Sequence, residues 1–116
     1  MPVSHLPFSP AVRVGDLIFV SGQASVDATG LIVTDTFEGE FRRSLENMAK
    51  ILEGAGSDLA HVVQVRSYVR EPADLARYNE LYREYFKAPC PARTTIACCL
   101  PPTLKFEIEC VAVARA

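Results

Sequence analysis

The carboxyl-terminal segment 105–115 constrains the fold most strongly, because its two alternating sets of side chains differ in chemistry. One set is apolar or small and comprises Phe106, Ile108, Cys110, Ala112 and Ala114. The other set is mixed and comprises Glu107, Glu109, Val111, Val113 and Arg115. Alternate side chains of a strand point to opposite faces of a sheet. The pattern predicts a long final strand with one face packed under a helical layer.

Two segments have helical periodicity. The first apolar stripe comprises Phe37, Phe41, Leu45, Met48 and Leu52, and the second comprises Leu75, Tyr78, Tyr82 and Tyr85. We expect the first helix to begin near Asp35 or Thr36, where Asp35 and Glu38 have capping-box spacing, and to end at the glycines of 54–56. The second helix is expected to begin at Pro72 and to end before Pro89.

The remaining segments are typical of strands. Residues 12–20 predict a hairpin turning at Gly15, and residues 93–99 predict a strand with Cys98 and Cys99 on opposite faces. In the segment 61–70, Val63, Val65 and Val69 are expected to share one face. The order strand-strand-helix-strand-helix-strand-strand predicts an α+β fold with two helices on one face of a mixed sheet, with extra strand breaks left open. The other face would be open and partly apolar, which predicts self-association with closed symmetry.

Composition narrows the class of protein. A length of 116 residues predicts a single domain over 1–116, and the net charge of −2 with a pI of about 5.6 does not favour nucleic acid as a partner. We found no basic signal-peptide start and no apolar run of the ~20 residues that a membrane span needs, so a cytoplasmic location is expected.

The four cysteines, Cys90, Cys98, Cys99 and Cys110, form no C-x-x-C pair and no zinc spacing, so no metal site is expected. They are interpreted as small buried hydrophobic residues in a reducing compartment.

Several motifs recur in order and spacing in one known family. They are Leu17–Gln23, Ser44–Asn47, Tyr78–Tyr82, Pro91–Thr94 and Phe106–Glu109. Through them nearly the whole chain resembles the RidA/YjgF family, and the Pro-Ala-Arg element followed by a Glu-x-Glu strand is the most specific part of the resemblance.

The resemblance implies a fold, an assembly and an activity. It implies a chorismate-mutase-like fold with a mixed six-stranded sheet, and a homotrimer whose sheets form a central barrel with sites in the clefts between subunits. The implied activity is hydrolysis of 2-aminoacrylate-type enamines and their 2-imino acid tautomers to 2-keto acids and ammonia. The implied substrate is thus a small imino or enamino acid, and no cofactor is needed.

Arg93 is the first candidate site residue, since a guanidinium can hold a substrate carboxylate through two parallel hydrogen bonds. The alternative is an ordinary ion pair with Glu107 or Glu109. The resemblance favours the functional role, because Arg93 matches the carboxylate-binding arginine of the family.

Glu107 is the candidate catalytic carboxylate, positioned to orient a water or to move a proton. The resemblance assigns the role through the Lys-x-Glu-x-Glu pattern that starts at Lys105. The connection from Arg93 is one residue shorter than is common in the family, so Glu109 stays open as an alternative.

Two further residues, Ser21 and Asn79, match the family's site, and two others, Phe8 and Thr95, depart from it. Ser21 offers a hydroxyl to catalysis and Asn79 an amide to substrate binding, with a turn contact and a helix-surface amide as the respective alternatives. Phe8 stands where RidA has a tyrosine, so a phenolic hydrogen bond is missing. Thr95 stands where RidA often has a cysteine, and its backbone carbonyl is the expected contact.

Two other functions remain open from the sequence. A non-catalytic trimer could bind small carboxylates in the same cleft, or act like a chaperone. Ribonuclease activity is attributed to some family members, but here no basic stripe is visible and neither His5 nor His61 has an obvious acidic partner.

Overall fold

A computed structural model describes residues 6–116, which form five strands and two α-helices. In chain order these are β1 (Ala11–Val14), β2 (Leu17–Ala24), α1 (Phe37–Gly54), β3 (Val62–Val69), α2 (Leu75–Tyr85), β4 (Ala92–Ala97) and β5 (Phe106–Val113). Short 3₁₀ turns, Leu59–His61 and Pro72–Asp74, precede β3 and α2. No helix within the described range is long and apolar enough to cross a membrane.

The strands form one mixed sheet in the order β1-β2-β5-β3-β4. Only β3 and β4 run parallel, because α2 carries the chain back between them, and the other neighbours are antiparallel. Both helices pack on one face, where the predicted apolar stripes meet the buried face of β5 in a single core. The predicted α+β architecture with a mixed sheet is confirmed.

The expected sixth strand is absent from residues 6–116, so that prediction was wrong. After β2 the chain makes only an isolated bridge between Val26 and Ile32, which closes a turn at Gly30. A register shift between Val20 and Gln23 bends β2 without dividing it.

The start of α1 differs from the predicted capping box. Thr36 is the N-cap, and its side chain accepts a hydrogen bond from the Gly39 N–H at 3.1 Å. The carboxylate that reaches back is that of Glu40, which accepts from the Asp35 N–H, while Glu38 forms ion pairs with arginines on the protein surface. The capping-box spacing does not predict this arrangement, because the adjacent residues Asp35 and Thr36 can both act as caps.

A bulge changes the faces of β3. The register shifts between Val62 and Gln64, so Val62 is buried whereas Val63 is 45% exposed. Val65 and Val69 lie in the core as predicted, but Val63 does not share their face. Ser67 takes a buried position and accepts a hydrogen bond from the Tyr78 hydroxyl at 2.7 Å.

The cysteine predictions are mostly wrong. β4 ends at Ala97, and Cys98 adopts a left-handed φ of 68°, so Cys98 and Cys99 lie in the following loop. Cys90, Cys98 and Cys99 are exposed free thiols, and Cys110 alone among the four is buried.

The sheet face opposite the helices is open and partly apolar, as expected. Its half-exposed apolar side chains are Val12, Val14, Leu17, Phe19, Val63 and Ile96. We refer to this surface as the open face.

Candidate active site

Arg93 lies on edge strand β4, on the side of the sheet that carries the helices. It is in register with buried Val65, and its guanidinium carbon lies 5.1 Å and 4.8 Å from the ring centres of Tyr78 and Tyr82 on α2. Such cation–π contacts hold a guanidinium by its face and leave its edge free. The edge is the part that forms paired hydrogen bonds with a carboxylate.

Asn79 and Thr95 belong to the same group. Arg93 Nη1 donates to Asn79 Oδ1 at 2.9 Å, and Thr95 Oγ1 donates to the Tyr78 hydroxyl oxygen at 3.4 Å. Asn79 is therefore more than a helix-surface amide, because it fixes one edge of the guanidinium. We refer to Tyr78, Asn79, Tyr82, Arg93 and Thr95 as the arginine group.

The positive charge of Arg93 is not neutralised by any described residue. Among residues 6–116 its side chain contacts only neutral groups, and the ion pair with Glu107 or Glu109 considered above does not form within one chain. An unpaired guanidinium held in place by neutral groups is suited to binding an anion.

Glu107 lies elsewhere, on the open face of β5 opposite Ala24 and Tyr68. It borders a pocket of about 300 Å³, which Phe8, Ile32 and Leu104 also line. We refer to this cavity as the glutamate pocket. Gly22 makes the arrangement possible, because a Cβ at that position would lie 2.6 Å from Glu107 Oε2.

The environments of the two glutamates differ. Glu109 forms an ion pair with Arg66 at 3.4 Å and accepts a hydrogen bond from the Tyr68 hydroxyl. The Glu107 carboxylate has no hydrogen bond or ion pair with residues 6–116, and its pKa is raised first by burial and then by the negative charge of Glu109. Glu107 is thus the uncommitted carboxylate, and Glu109 is occupied by its own partners.

Phe8 lines the glutamate pocket, whereas Ser21 does not. Ser21 Oγ donates to the Ser9 carbonyl at 2.6 Å and its N–H donates to the Pro10 carbonyl, so within one chain its hydroxyl makes the turn contact. Phe8 is 48% exposed and lines the pocket with its ring.

The structure therefore divides the predicted site residues into two groups. The arginine group lies on the helix side of β4, whereas Glu107 lies on the open face of β5, and β3 separates the two strands. A single chain does not bring Arg93 and Glu107 together.

Some features of the site are not evident from the sequence. The helical periodicity predicts Tyr78 and Tyr82 only as core residues, although their spacing of four also places both rings beneath Arg93. Gly22 stands out in the sequence only as part of a motif. The two tyrosines meet Arg93 only because α2 packs against β4, and Gly22 meets Glu107 only because β2 pairs with β5.

A histidine–aspartate pair and a second groove lie away from the arginine group and the glutamate pocket. Contrary to the expectation from the sequence, His61 has an acidic partner, since its Nδ1 lies 2.7 Å from Asp58 Oδ1. His5 lies outside the described residues. A larger groove of about 580 Å³ lies near the ends of α1 and α2, but none of the predicted site residues line it. Within residues 6–116 we found no cluster of His, Cys, Asp and Glu that could hold a metal ion.

Comparisons with known proteins agree with the motifs. The profile of the family described as endoribonuclease L-PSP matches residues 1–114. Reactive Intermediate Deaminase A, chloroplastic, from Arabidopsis thaliana is 37% identical over 113 residues, which are 96% of this chain and 60% of the plant protein. The 2-iminobutanoate/2-iminopropanoate deaminase of Homo sapiens is 37% identical over 109 residues, covering 92% of this chain and 80% of the human protein.

The fold has close counterparts among solved structures. The crystal structure of RidA from the Antarctic bacterium Psychrobacter sp. PAMC 21119 matches with a TM-score of 0.88 at 29% identity. The match covers 97% of this chain and 92% of that chain.

Proposed function

The chain belongs to the endoribonuclease L-PSP family, which includes the RidA/YjgF proteins, and we propose that it is an enzyme that hydrolyses 2-enamine and 2-imino acids. The products are 2-keto acids and ammonia. Two relatives bear the names of deaminases of this type, which supports the proposal.

The observation that carries the proposal is the unpaired guanidinium of Arg93. It lies over two tyrosine rings and is held by Asn79, with no acidic partner among residues 6–116. Each charge-assisted hydrogen bond to a substrate carboxylate contributes about 1.5–3 kcal/mol. Arg93 is therefore assigned to bind the carboxylate of the imino acid.

The complete site is proposed to form between copies in a homotrimer. Arg93 and Glu107 lie on opposite sides of the sheet, so one chain supplies the arginine group and a neighbouring chain supplies the glutamate pocket. The partly apolar open face supports this assembly, because exposed apolar surfaces of this kind are covered in oligomers. A ring of copies would then contain the same composite site at every interface.

The proposed mechanism assigns one task to each group. Arg93 holds the carboxylate, and Glu107 orients a water molecule toward the C=N carbon. Water adds to that carbon, and the resulting carbinolamine loses ammonia to leave the 2-keto acid. The raised pKa of Glu107 allows its carboxyl group to exchange a proton nearer neutral pH than an ordinary glutamate. The reaction consumes only water and changes no oxidation state, so it needs no redox cofactor, and the proposed mechanism assigns no cofactor or metal.

The remaining predicted residues have supporting roles. Asn79 orients Arg93, and Phe8 forms an apolar wall beside the reacting carbon. Ser21 and the backbone of Thr95 are assigned to polar contacts with the water or the imine nitrogen. Ser21 would have to turn from the Ser9 carbonyl to make that contact.

The deciding experiment measures imine removal. An amino-acid oxidase generates 2-iminopropanoate in situ, and semicarbazide traps the imine that remains. We expect the protein to accelerate imine loss over buffer, and Arg93→Ala to lower kcat/KM by at least about 100-fold, the equivalent of roughly 3 kcal/mol of lost carboxylate binding.

The control is Arg77→Ala, which removes a surface arginine of α2 whose ion pairs are with Glu38 and Glu80. It should retain the activity of the unaltered protein. If the protein binds small carboxylates but leaves imines from several amino acids unchanged, the non-catalytic binding function replaces the enzymatic one.

The proposed location is the cytoplasm. Three exposed free thiols, Cys90, Cys98 and Cys99, are typical of a reducing compartment and support it. The plant relative is named as chloroplastic, so an organelle is the competing location, and imaging of a fluorescent fusion in the source cells distinguishes the two.

A further inference from the structure

The glutamate pocket extends well beyond the carboxylate of Glu107. Its volume of about 300 Å³ is at the lower end of the range for small-molecule sites. An apolar cavity of about 150 Å³ already accommodates a benzene molecule. A methyl side chain would leave most of the glutamate pocket filled with water.

The described lining of the pocket is apolar except for Gln23 and Glu107. Phe8, Val26, Ile32 and Leu104 contribute apolar side chains, and Leu104 is only 9% exposed. Burying apolar substrate surface against them stabilises the complex.

The polar groups of the pocket do not suit an acidic side chain. Among the described residues that line it, only Gln23 and Glu107 are polar. The Gln23 amide is 6% exposed and donates to the Ser21 carbonyl at 3.0 Å, so it is already engaged. No cation lines the pocket within residues 6–116, and Glu107 would repel a second carboxylate.

We propose that this chain selects 2-imino acids with large apolar side chains, such as those derived from leucine and methionine, and that the glutamate pocket binds that side chain. The inference rests on the proposed function. With the substrate carboxylate on Arg93 of a neighbouring copy and the imine carbon beside Glu107, the side chain on that carbon enters the pocket toward Ile32 and Leu104.

The test compares three imines made in situ by amino-acid oxidases, derived from alanine, leucine and glutamate. We expect kcat/KM for the leucine-derived imine to exceed that for the alanine-derived imine at least about tenfold, since each methylene in an apolar pocket contributes 10-fold or more. The glutamate-derived imine, which is similarly large but charged, should be the poorest substrate.

Two variants of Ile32 assign the selectivity to the pocket. Ile32→Trp fills the cavity and Ile32→Asn makes it polar, and each should lower the ratio of leucine-derived to alanine-derived kcat/KM by about tenfold. Ile32 is 48% exposed, so both variants are expected to fold. The matched control is Leu31→Asn, because Leu31 is 67% exposed and does not line the pocket. It should leave the ratio unchanged.

Failure of this proposal is distinguishable from failure of the proposed function. If imines are hydrolysed with no preference for the leucine-derived one, or if the preference survives both Ile32 substitutions, the side-chain pocket is wrong and the deaminase activity stands. If none of the three imines is hydrolysed faster than in buffer, the proposed function itself is wrong.

Discussion

At position 22 the absence of a side chain determines the geometry of the glutamate pocket. The carboxylate of Glu107 occupies the space that a Cβ of Gly22 would take. Gly22 does not have a left-handed φ, so its backbone conformation is open to other residues. The requirement for glycine here comes from the close approach of Glu107 alone.

Gly22→Ala should therefore damage activity much more than stability. The free energy of unfolding should change by less than about 1 kcal/mol, because the end of a flexible side chain can move aside. The displaced carboxylate should lower kcat by about 100-fold, as small misplacements of catalytic groups do. Urea unfolding and the imine assay measure the two quantities.

A double variant shows whether the effect passes through Glu107. Gly22→Ala combined with Glu107→Gln should be no less active than Glu107→Gln alone, since the displaced group has already lost its charge. Additive losses would mean that Gly22 acts on some other part of the site.

Glu109 influences the pH dependence of the reaction through its charge. Burial and the neighbouring Glu109 both raise the pKa of Glu107, so the ionised form that orients water appears only above the ordinary pH range of a glutamate. Activity should rise with pH through this raised pKa. Glu109→Gln removes the like charge and lowers the pKa of Glu107, and the acidic limb of the kcat/KM profile should move to lower pH.

If Glu109→Gln is more active than the unaltered protein at the acidic end of the pH profile, Glu107 is the titrating group. If Glu109→Gln instead loses activity at all pH values and Glu107→Gln retains it, Glu109 is the catalytic carboxylate. Tyr68 and Arg66 can still contact the glutamine, so the local structure is expected to persist.

At the scale of elements, an ion pair between a buried carboxylate and a partly exposed lysine joins the start of α1 to the start of β5. Glu40 is fully buried, and its carboxylate accepts hydrogen bonds from the backbone N–H groups of Asp35 and Lys105. The Lys105 ammonium lies 3.3 Å from Glu40 Oε2 and donates to the Asp35 carbonyl at 2.6 Å. This contact fixes the end of the strand that carries Glu107.

Lys105→Met should destabilise the protein by about 3 kcal/mol, because it leaves a buried carboxylate without its counter-ion. Lys50→Met is the matched control, since Lys50 is exposed on α1 and should change stability by no more than about 0.5 kcal/mol. Urea midpoints at one fixed protein concentration measure both. Equal midpoints for the two variants would contradict a stabilising role for the pair.

The elements also show why sequence patterns succeed in some places and fail in others. The stripe from Phe37 to Leu52 predicted α1 because helical periodicity persists over many residues. The alternation in 61–70 predicts the wrong face for Val63, because one extra residue in a bulge inverts it. The end of β4 at Ala97 depends on the left-handed Cys98, which no residue preference indicates.

At the scale of the whole molecule, the proposed site requires two copies of the chain. Arg93→Ala retains an intact glutamate pocket, and Glu107→Gln retains an intact arginine group. Each variant alone should have only a small residual activity. Mixed trimers should recover activity, because some interfaces join the two intact halves.

Co-expression of Arg93→Ala and Glu107→Gln in equal amounts should restore about a quarter of the activity of the unaltered protein. With random mixing, an interface receives an intact Arg93 from one copy and an intact Glu107 from its neighbour about one time in four. Mixing the purified proteins without exchange of subunits is the control and should restore nothing. If the co-expressed pair stays inactive while mass measurement shows mixed trimers, the site lies within one chain and the composite arrangement is wrong.

Periodicity and local motifs are properties of neighbouring positions, so the order of residues is enough to predict the two helices, the mixed sheet and the candidate residues. The packing of the folded chain establishes that Tyr78 and Tyr82 hold Arg93, that Gly22 makes room for Glu107, and that Glu109 is occupied by Arg66 and Tyr68. It also placed Arg93 and Glu107 on opposite sides of the sheet. These relations join residues far apart in the chain, and their geometry depends on strand order, register and bulges, which local preferences do not specify.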